Sequence, residues 1–323
     1  MRRSASATTA AALATVLFLA GCSSDDGDAE PAATATETAA GEDATDGATD
    51  AADDSGNAPE DVAALEGVTV EAEAGAEPTL TFEQPLEVGG TAAVLTSPGD
   101  GAALEEGQVL GVHFIQVNGE NGEVLDSTYE GEPQPLVLSD TMTMPALVDV
   151  LLGQNVGTRA LFASPTQGAA ALMSIEVVDA RGRAEGEPVE PPEGVPAVTL
   201  ADNGAPSIEP VDGEAPTELV VAPLIEGDGK EVEEGDYVFT HYTGWLWDGT
   251  EFDSSWSGET GPLSYEAGAG QLIEGWDTGV MGQTVGSQVM VVVPPELGYG
   301  DQDNGPIPAG STLVFVVDIL YAG

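Results

Sequence analysis

The sequence predicts an α+β protein: two related domains, each an antiparallel β-sheet wrapped around a short α-helix, carried behind a disordered N-terminal tether. Three observations lead there. The body of the chain repeats itself once, its apolar stretches are β-branched or aromatic runs of strand length, and a single short segment of the second copy has clear helical spacing.

The chain opens with Arg2 and Arg3, continues through an apolar, small-residue run from Ala10 to Ala20, and reaches Leu19-Ala20-Gly21-Cys22. A basic start, an apolar run too short to span a membrane comfortably and a small-residue ending read as a signal peptide over residues 1–21. The Leu-Ala-Gly-Cys ending resembles the lipobox of bacterial lipoproteins. That resemblance implies cleavage before Cys22, lipidation of its thiol, and an extracytoplasmic chain anchored to the cell membrane. Two acyl chains are about what stable attachment requires. Cys22 is the single cysteine, so an intramolecular disulfide is excluded. Residues 22–65 consist largely of Ala, Thr, Gly, Ser, Asp and Glu, without lysine or arginine. Such a segment buries too little apolar area to offset the entropy of ordering and is expected to be a disordered acidic tether, with a reach on the order of 35–40 Å.

Six basic residues against 57 acidic ones give a formal charge of −51. Beyond the leader only Arg159, Arg181, Arg183 and Lys230 are positive. Nucleic-acid binding, which depends on cationic contacts to phosphate, is excluded as a function class. Adsorption to anionic lipid heads is disfavoured for the same reason. Two histidines and one cysteine leave no transition-metal cluster, and the acidic runs lack the spacing of a calcium loop. No cofactor or metal is expected, and the chain is read as a monomer.

The repeat sets the domain count. Gly99-Asp100-Gly101, Glu105-Glu106-Gly107 and His113-Phe114 align without a gap on Gly227-Asp228-Gly229, Glu233-Glu234-Gly235 and His241-Tyr242. Leu125-Asp126-Ser127 matches Phe252-Asp253-Ser254, and Gly153-Gln154-Asn155-Val156-Gly157 matches Gly282-Gln283-Thr284-Val285-Gly286. The lead-in repeats as well, Val68-Thr69-Val70 echoing Val198-Thr199-Leu200. Domains are therefore expected over 66–182 and 196–323, with residues 183–195, rich in Glu, Pro and Gly, as the linker. In the second copy, Leu219–Leu224, Tyr237–Tyr242, Gln288–Val293 and Thr312–Tyr321 read as strands. Leu272, Ile273, Trp276 and Val280 fall at helical spacing, and Gly275 and Gly279 are expected to keep that helix short.

The second copy carries Phe239-Thr240-His241-Tyr242-Thr243-Gly244, the turn Trp247-Asp248-Gly249 leading to Phe252-Asp253-Ser254-Ser255, Leu272-Ile273-Glu274-Gly275-Trp276, Glu296-Leu297-Gly298-Tyr299-Gly300, and Ile307-Pro308 before Thr312-Leu313-Val314-Phe315. In this order the motifs resemble the FK506-binding-protein family of peptidyl-prolyl cis-trans isomerases, over about Thr217 to Ala322. The resemblance implies an apolar pocket with Trp276 as floor and Tyr242, Phe252 and Phe315 as walls, closed by Leu272, Ile273 and Ile307. Leu263 stands where the family more often has an aromatic. It further implies that the Ile273 N–H and the Tyr299 hydroxyl bond substrate carbonyls, with Asp253 at the rim. Trp256 and Gly258 stand where relatives often have a basic residue, and the loop from Asp301 to Pro306 is one residue short of the family's pattern.

Simple chemistry agrees. Rotation about an X-Pro amide faces a barrier of about 18–20 kcal/mol, breaks no bond and needs neither nucleophile nor acid–base pair. A dry aromatic pocket favours the less polar twisted amide over the planar one, and each 1.4 kcal/mol or so of preference is worth about tenfold in rate. Trp276, Phe252 and Phe315 could instead be ordinary core. The first copy bears on that choice: it aligns Phe114 with Tyr242, Leu125 with Phe252, Leu147 with Trp276 and Met173 with Phe315, and has no counterpart of Tyr299. It retains an aliphatic core and lacks the pocket groups. His113 and His241 share one repeat position, which marks His241 as scaffold, and Asp126 survives opposite Asp253. The expected function is isomerisation of proline-containing polypeptides among exported proteins. A proline-peptide-binding chaperone or adhesion lipoprotein without turnover is the alternative.

Overall fold

In the computed structural model, residues 56–73, 75–139, 144–257 and 261–323 are described. Cys22 and the signal peptide lie outside them, as does the tether up to residue 55. The described chain contains two sheets of matching connectivity. The first lobe runs α1 (Pro59–Glu66), β1 (Thr69–Glu71), β2 (Thr79–Thr81), β3 (Ala92–Ser97), β4 (Val109–Asn118), β5 (Val124–Ser127), β6 (Gln134–Val137), α2 (Pro145–Leu151), β7 (Arg159–Pro165) and β8 (Ala170–Arg181). After β9 (Glu187–Pro188), the second lobe runs β10 (Ala197–Leu200), β11 (Pro206–Glu209), β12 (Val220–Glu226), β13 (Tyr237–Leu246), β14 (Glu251–Ser254), β15 (Leu263–Glu266), α3 (Glu274–Val280), β16 (Gln288–Val293) and β17 (Leu313–Ala322). The first sheet is ordered β3-β7-β8-β4-β5 with β6 also on β4. The second is ordered β12-β16-β17-β13-β14 with β15 also on β13, and β9 is added at the β12 edge.

Pairing registers match residue for residue. Gln116 faces Met173 across β4 and β8 as Gly244 faces Phe315 across β13 and β17. Gln116 faces Asp126 as Gly244 faces Asp253, and Val112 faces Gln134 as Thr240 faces Leu263. The glycines of the repeated Gly-Gln-x-Val-Gly motif have the same positive φ in both lobes, 76° and 95° at Gly153 and Gly157 against 77° and 91° at Gly282 and Gly286. Glycine is required there because other residues are strained in that region.

Each sheet is covered on both faces, which explains why its strands read as continuous apolar runs rather than alternating ones. One face of the second sheet packs Val291, Val293, Phe315 and Val317 with Trp276 of α3. The other packs Met290, Val292, Val314 and Val316 with Val198 and Ile208 of the β10–β11 hairpin. All six residues of β16 are consequently buried.

Three expectations need correction. The tether does not extend to residue 65: Pro59–Glu66 is helical, Leu65 is fully buried in the first lobe, and the buried Asp61 carboxylate accepts the Gly89 and Gly90 N–H groups at 2.7 and 2.9 Å. Leu65, with Ala64 packed beside it, and one bonded carboxylate dock this short helix. Gly275 and Gly279 do not set the length of α3, because α2, without glycine, is also seven residues long. A Cβ at either glycine would stand 2.4 or 2.6 Å from Val293 or Val291, so the glycines bring the helix down onto β16. The linker, finally, is bonded to the second sheet: Glu187 and Pro188 pair with β12, and the Ala184 N–H donates to the Asp318 carboxylate at 2.7 Å.

Asp318 is 1 % exposed and also accepts from Gln288 Nε2 at 2.7 Å. The same register position in the first lobe holds Glu176, buried against Arg159 at 2.7 Å and accepting the Gly75 N–H at 2.9 Å. Each lobe thus uses one buried carboxylate to fasten a segment lying outside its sheet. Burial pushes Asp318 up to about 6, partly offset by the Ala184 and Gln288 bonds and by the charge of Arg183. The folded lobe therefore holds a proton there that the unfolded chain has released between about pH 4 and 6. That contribution to stability is full below the ordinary carboxylate value and is lost as pH rises through 6. His241 has the opposite sign: burial lowers it to about 4, so its contribution is present above pH 6.5 and lost as pH falls through 4. With Asp318→Asn the opposing slope is removed and the His241 slope remains. Melting temperature measured against pH should climb more steeply between pH 4 and 6.5 than in the wild type. Between pH 4 and 7.5 the variant should gain on the order of 2–3 kcal/mol more than the wild type does; an unchanged pH profile would contradict the assignment.

Candidate active site

Strand alternation on β13 sends Val238, Thr240, Tyr242, Gly244 and Leu246 towards α3 and sends His241 and Trp245 to the opposite face. Tyr242 and Leu246 accordingly pack with Trp276, while Trp245 packs under the β10–β11 hairpin. His241 Nδ1 shares a hydrogen bond with Ser255 Oγ at 2.9 Å, and its ring stacks on Trp256 at 4.4 Å. His113 repeats this arrangement with Thr128 and Tyr129. His241 and Trp256 face a cleft of about 740 Å³ between the lobes, which none of the expected pocket residues lines.

The expected residues meet around α3. Trp276 is buried and receives three aromatic rings edge-on: Phe315 at 5.1 Å, Tyr242 at 5.3 Å and Tyr265 at 6.1 Å. Phe252 meets Phe315 edge-on at 5.7 Å. These T-shaped contacts set each ring's positive edge against its neighbour's negative face. Ile307 is buried in the same cluster, and Leu263, Leu272 and Ile273 are half-buried against it. Ile273 is the N-cap of α3, its carbonyl accepting from the Trp276 and Asp277 N–H groups. No hydrogen bond among the described residues claims its own N–H, as the first residues of any helix leave donors free. Asp253 is exposed at the rim and accepts a hydrogen bond from the Tyr242 hydroxyl. Burial, this bond, the Asp253 charge and the nearby Tyr299 phenol all push the Tyr242 hydroxyl well above its usual range, so it remains a neutral donor at physiological pH. Tyr299 lies outside the apolar cluster, 38 % exposed, on the loop after a short 3-10 turn at Pro295–Leu297. The neighbouring loop is closed by paired Asn304 and Ile307 backbone bonds of 2.8 and 2.9 Å.

Two site residues were not singled out by sequence reasoning. A Cβ on Gly244 would stand 2.6 Å from Phe252 Cζ and 3.0 Å from Phe315 Cε1; its absence lets the two walls meet. The repeat held the signal, since Gln116 occupies this position in the copy with Leu125 and Met173. Tyr265, paired opposite Val238, flanks the Trp276 ring where the first lobe has Leu136. Gly244→Ala should displace Phe252 and lower kcat/KM about tenfold, the equivalent of about 1.4 kcal/mol, while the circular dichroism spectrum remains native. Unchanged kinetics would show that the Phe252–Phe315 contact is dispensable.

The assembled site is an apolar cup with neutral hydrogen-bond donors at its edge and no nucleophile–base pair within it. Fold and site define a class that encloses and orients its ligand. Residues 229–320 match the profile of the FKBP-type peptidyl-prolyl cis-trans isomerases. The chain is 42 % identical over 118 residues to an FK506-binding protein of Streptomyces anulatus, covering 36 % of this chain and 94 % of that one. It is 42 % identical over 106 residues to FK506-binding protein 1 of Aspergillus oryzae, covering 30 % and 91 %. Identity is 44 % over 103 residues to an FK506-binding protein of Neisseria meningitidis serogroup A, covering 32 % and 94 %. The chain belongs to the FKBP-type peptidyl-prolyl cis-trans isomerase family.

Proposed function

We propose that this isomerase assists the folding of exported proteins outside the cytoplasmic membrane, anchored by a lipid on Cys22, with all turnover in the second lobe and the first lobe a degenerate copy of it. The observation that carries the division of labour is the equality of register. At the positions of Tyr242, Phe252, Trp276 and Phe315 the first lobe holds Phe114, Leu125, Leu147 and Met173. Leu147 is fully buried, so that position serves as core there without an indole.

The reaction follows from the cup. A prolyl ring set on Trp276 carries its preceding amide into a dry space, where the charge-separated planar form loses solvation and the twisted form loses less. The Ile273 N–H and the Tyr299 hydroxyl hold the flanking carbonyls, and the neutral Tyr242 hydroxyl, its proton donated to Asp253, holds its ring fixed at the wall. Interactions made only with the twisted amide lower the barrier.

Disabling the second lobe within the intact chain tests the division. With Tyr242→Phe, Asp253→Leu and Tyr299→Phe combined, cis–trans exchange of a capped Ala-Leu-Pro-Phe peptide, followed by NMR, should fall about a hundredfold, the equivalent of about 2.7 kcal/mol. A triple variant as fast as the wild type would move the activity away from this pocket. The anchor is tested by Cys22→Ala, which should abolish incorporation of labelled fatty acid into the chain; undiminished labelling would contradict a lipid on Cys22.

A further inference from the structure

We infer that the prolyl site selects polypeptides carrying lysine or arginine beside the proline, because the segments that build its apolar cup carry exposed carboxylates that no basic residue of the described chain neutralises. This deepens the prolyl-isomerase reading and rests on it. Three segments that supply pocket residues each carry an exposed acid beside them in the chain. Asp253 on β14 follows Phe252, Glu274 opens α3 directly after Ile273, and Asp301 follows Tyr299 by two residues. Asp253 is bonded only by the neutral Tyr242 hydroxyl, and neither Glu274 nor Asp301 enters an ion pair.

The basic residues are all committed elsewhere. Arg159 pairs with Glu176 at 2.7 Å, Arg181 with Asp179 at 2.9 Å, Arg183 with Glu185 at 3.9 Å and Lys230 with Asp236 at 2.9 Å. These are the only basic side chains among the described residues. An apolar cup draws in the prolyl ring without regard to charge. Its rim then discriminates among neighbours: a cationic side chain is attracted by several carboxylates at once, and an anionic one is repelled by the same set. Exposed charges act through water, so the discrimination is moderate and salt-dependent.

The test uses the intact protein and capped Ala-Xaa-Pro-Phe peptides with Xaa as lysine, leucine or glutamate, their exchange followed by NMR. At about 20 mM salt, kcat/KM for the lysine peptide should exceed that for the glutamate peptide about tenfold; at about 1 M salt, where the screening length is about 3 Å, the ratio should shrink to within about twofold. The double variant Glu274→Gln, Asp301→Asn, altering two exposed side chains, should lower the low-salt ratio at least threefold. A ratio near one at low salt, or one unmoved by salt, overturns the proposal while the leucine peptide still reports an active isomerase. A salt-sensitive ratio that the double variant leaves intact overturns the assignment to this rim. A leucine peptide exchanging at the solvent rate brings down the isomerase reading and this selection with it.

Discussion

Trp276→Leu is expected to leave the second lobe folded and to remove most of its isomerase activity. The substitution writes into α3 the residue that α2 carries at the same place, Leu147, so the fold has already accepted it once. Truncating the indole forfeits edge-on contacts with Phe315, Tyr242 and Tyr265 and opens space beneath the pocket. Trp→Ala changes in cores cost about 3–5 kcal/mol, and retention of a leucine should hold the loss to about 1–3 kcal/mol. Catalysis depends on the same atoms more steeply, because the floor fixes how deeply the prolyl ring sits and how dry its amide becomes. A loss of about 2 kcal/mol of barrier lowering corresponds to a kcat/KM about thirtyfold lower. Thermal denaturation and peptide exchange on one preparation separate the two effects: a folded protein with low activity is the expected result. Full activity in the folded variant would return Trp276 to the role of ordinary core.

The largest effect on stability is expected at the other end of the molecule, from Arg159→Met. Arg159 and Glu176 are 6 % and 4 % exposed, and the guanidinium also donates to the Glu73 and Ala76 carbonyls at 2.8 and 3.2 Å. Removing the cation strands a buried carboxylate and frees the turn between β1 and β2. Breaking such a pair from one side costs about 3–5 kcal/mol. The equivalent pair in the second lobe, Gln288 with Asp318, shows that the position does not require a salt bridge. The double substitution Arg159→Gln, Glu176→Asp therefore should recover a good part of what Arg159→Met loses. Urea denaturation measures both, and a single variant within about 1 kcal/mol of wild type would mean that water reaches Glu176.

Several strands were legible in the sequence because a repeat fixes the relation between distant segments, and the apolar residues expected from the family resemblance lie together around Trp276. The repeat aligns His113 with His241 and, across a stretch the first copy lacks, Met173 with Phe315, and the pairing registers agree; Leu147 and Trp276 hold the same place in their helices. Gln288–Val293 was legible to the residue because a strand buried on both faces is an uninterrupted apolar run. Helix α1 was hidden by its composition: Pro59–Glu66 shares the alanine and acid content of the segment before it, and only the tertiary position of Leu65 and Asp61 distinguishes it. The fastening of the linker was hidden for a related reason. A backbone N–H at Ala184 bonding a carboxylate 134 residues away leaves no local signature. Gly244 illustrates a third case, in which a residue contributes by lacking a side chain, and its effect shows only when the two rings beside it are in place.

The most direct test of the central claim is the exchange rate of a capped Ala-Leu-Pro-Phe peptide in the presence of the intact chain. Catalysed cis–trans exchange far above the rate in buffer, abolished when the Trp276 cup is disabled, is the predicted result. Exchange at the buffer rate with the fully folded wild-type protein would contradict it.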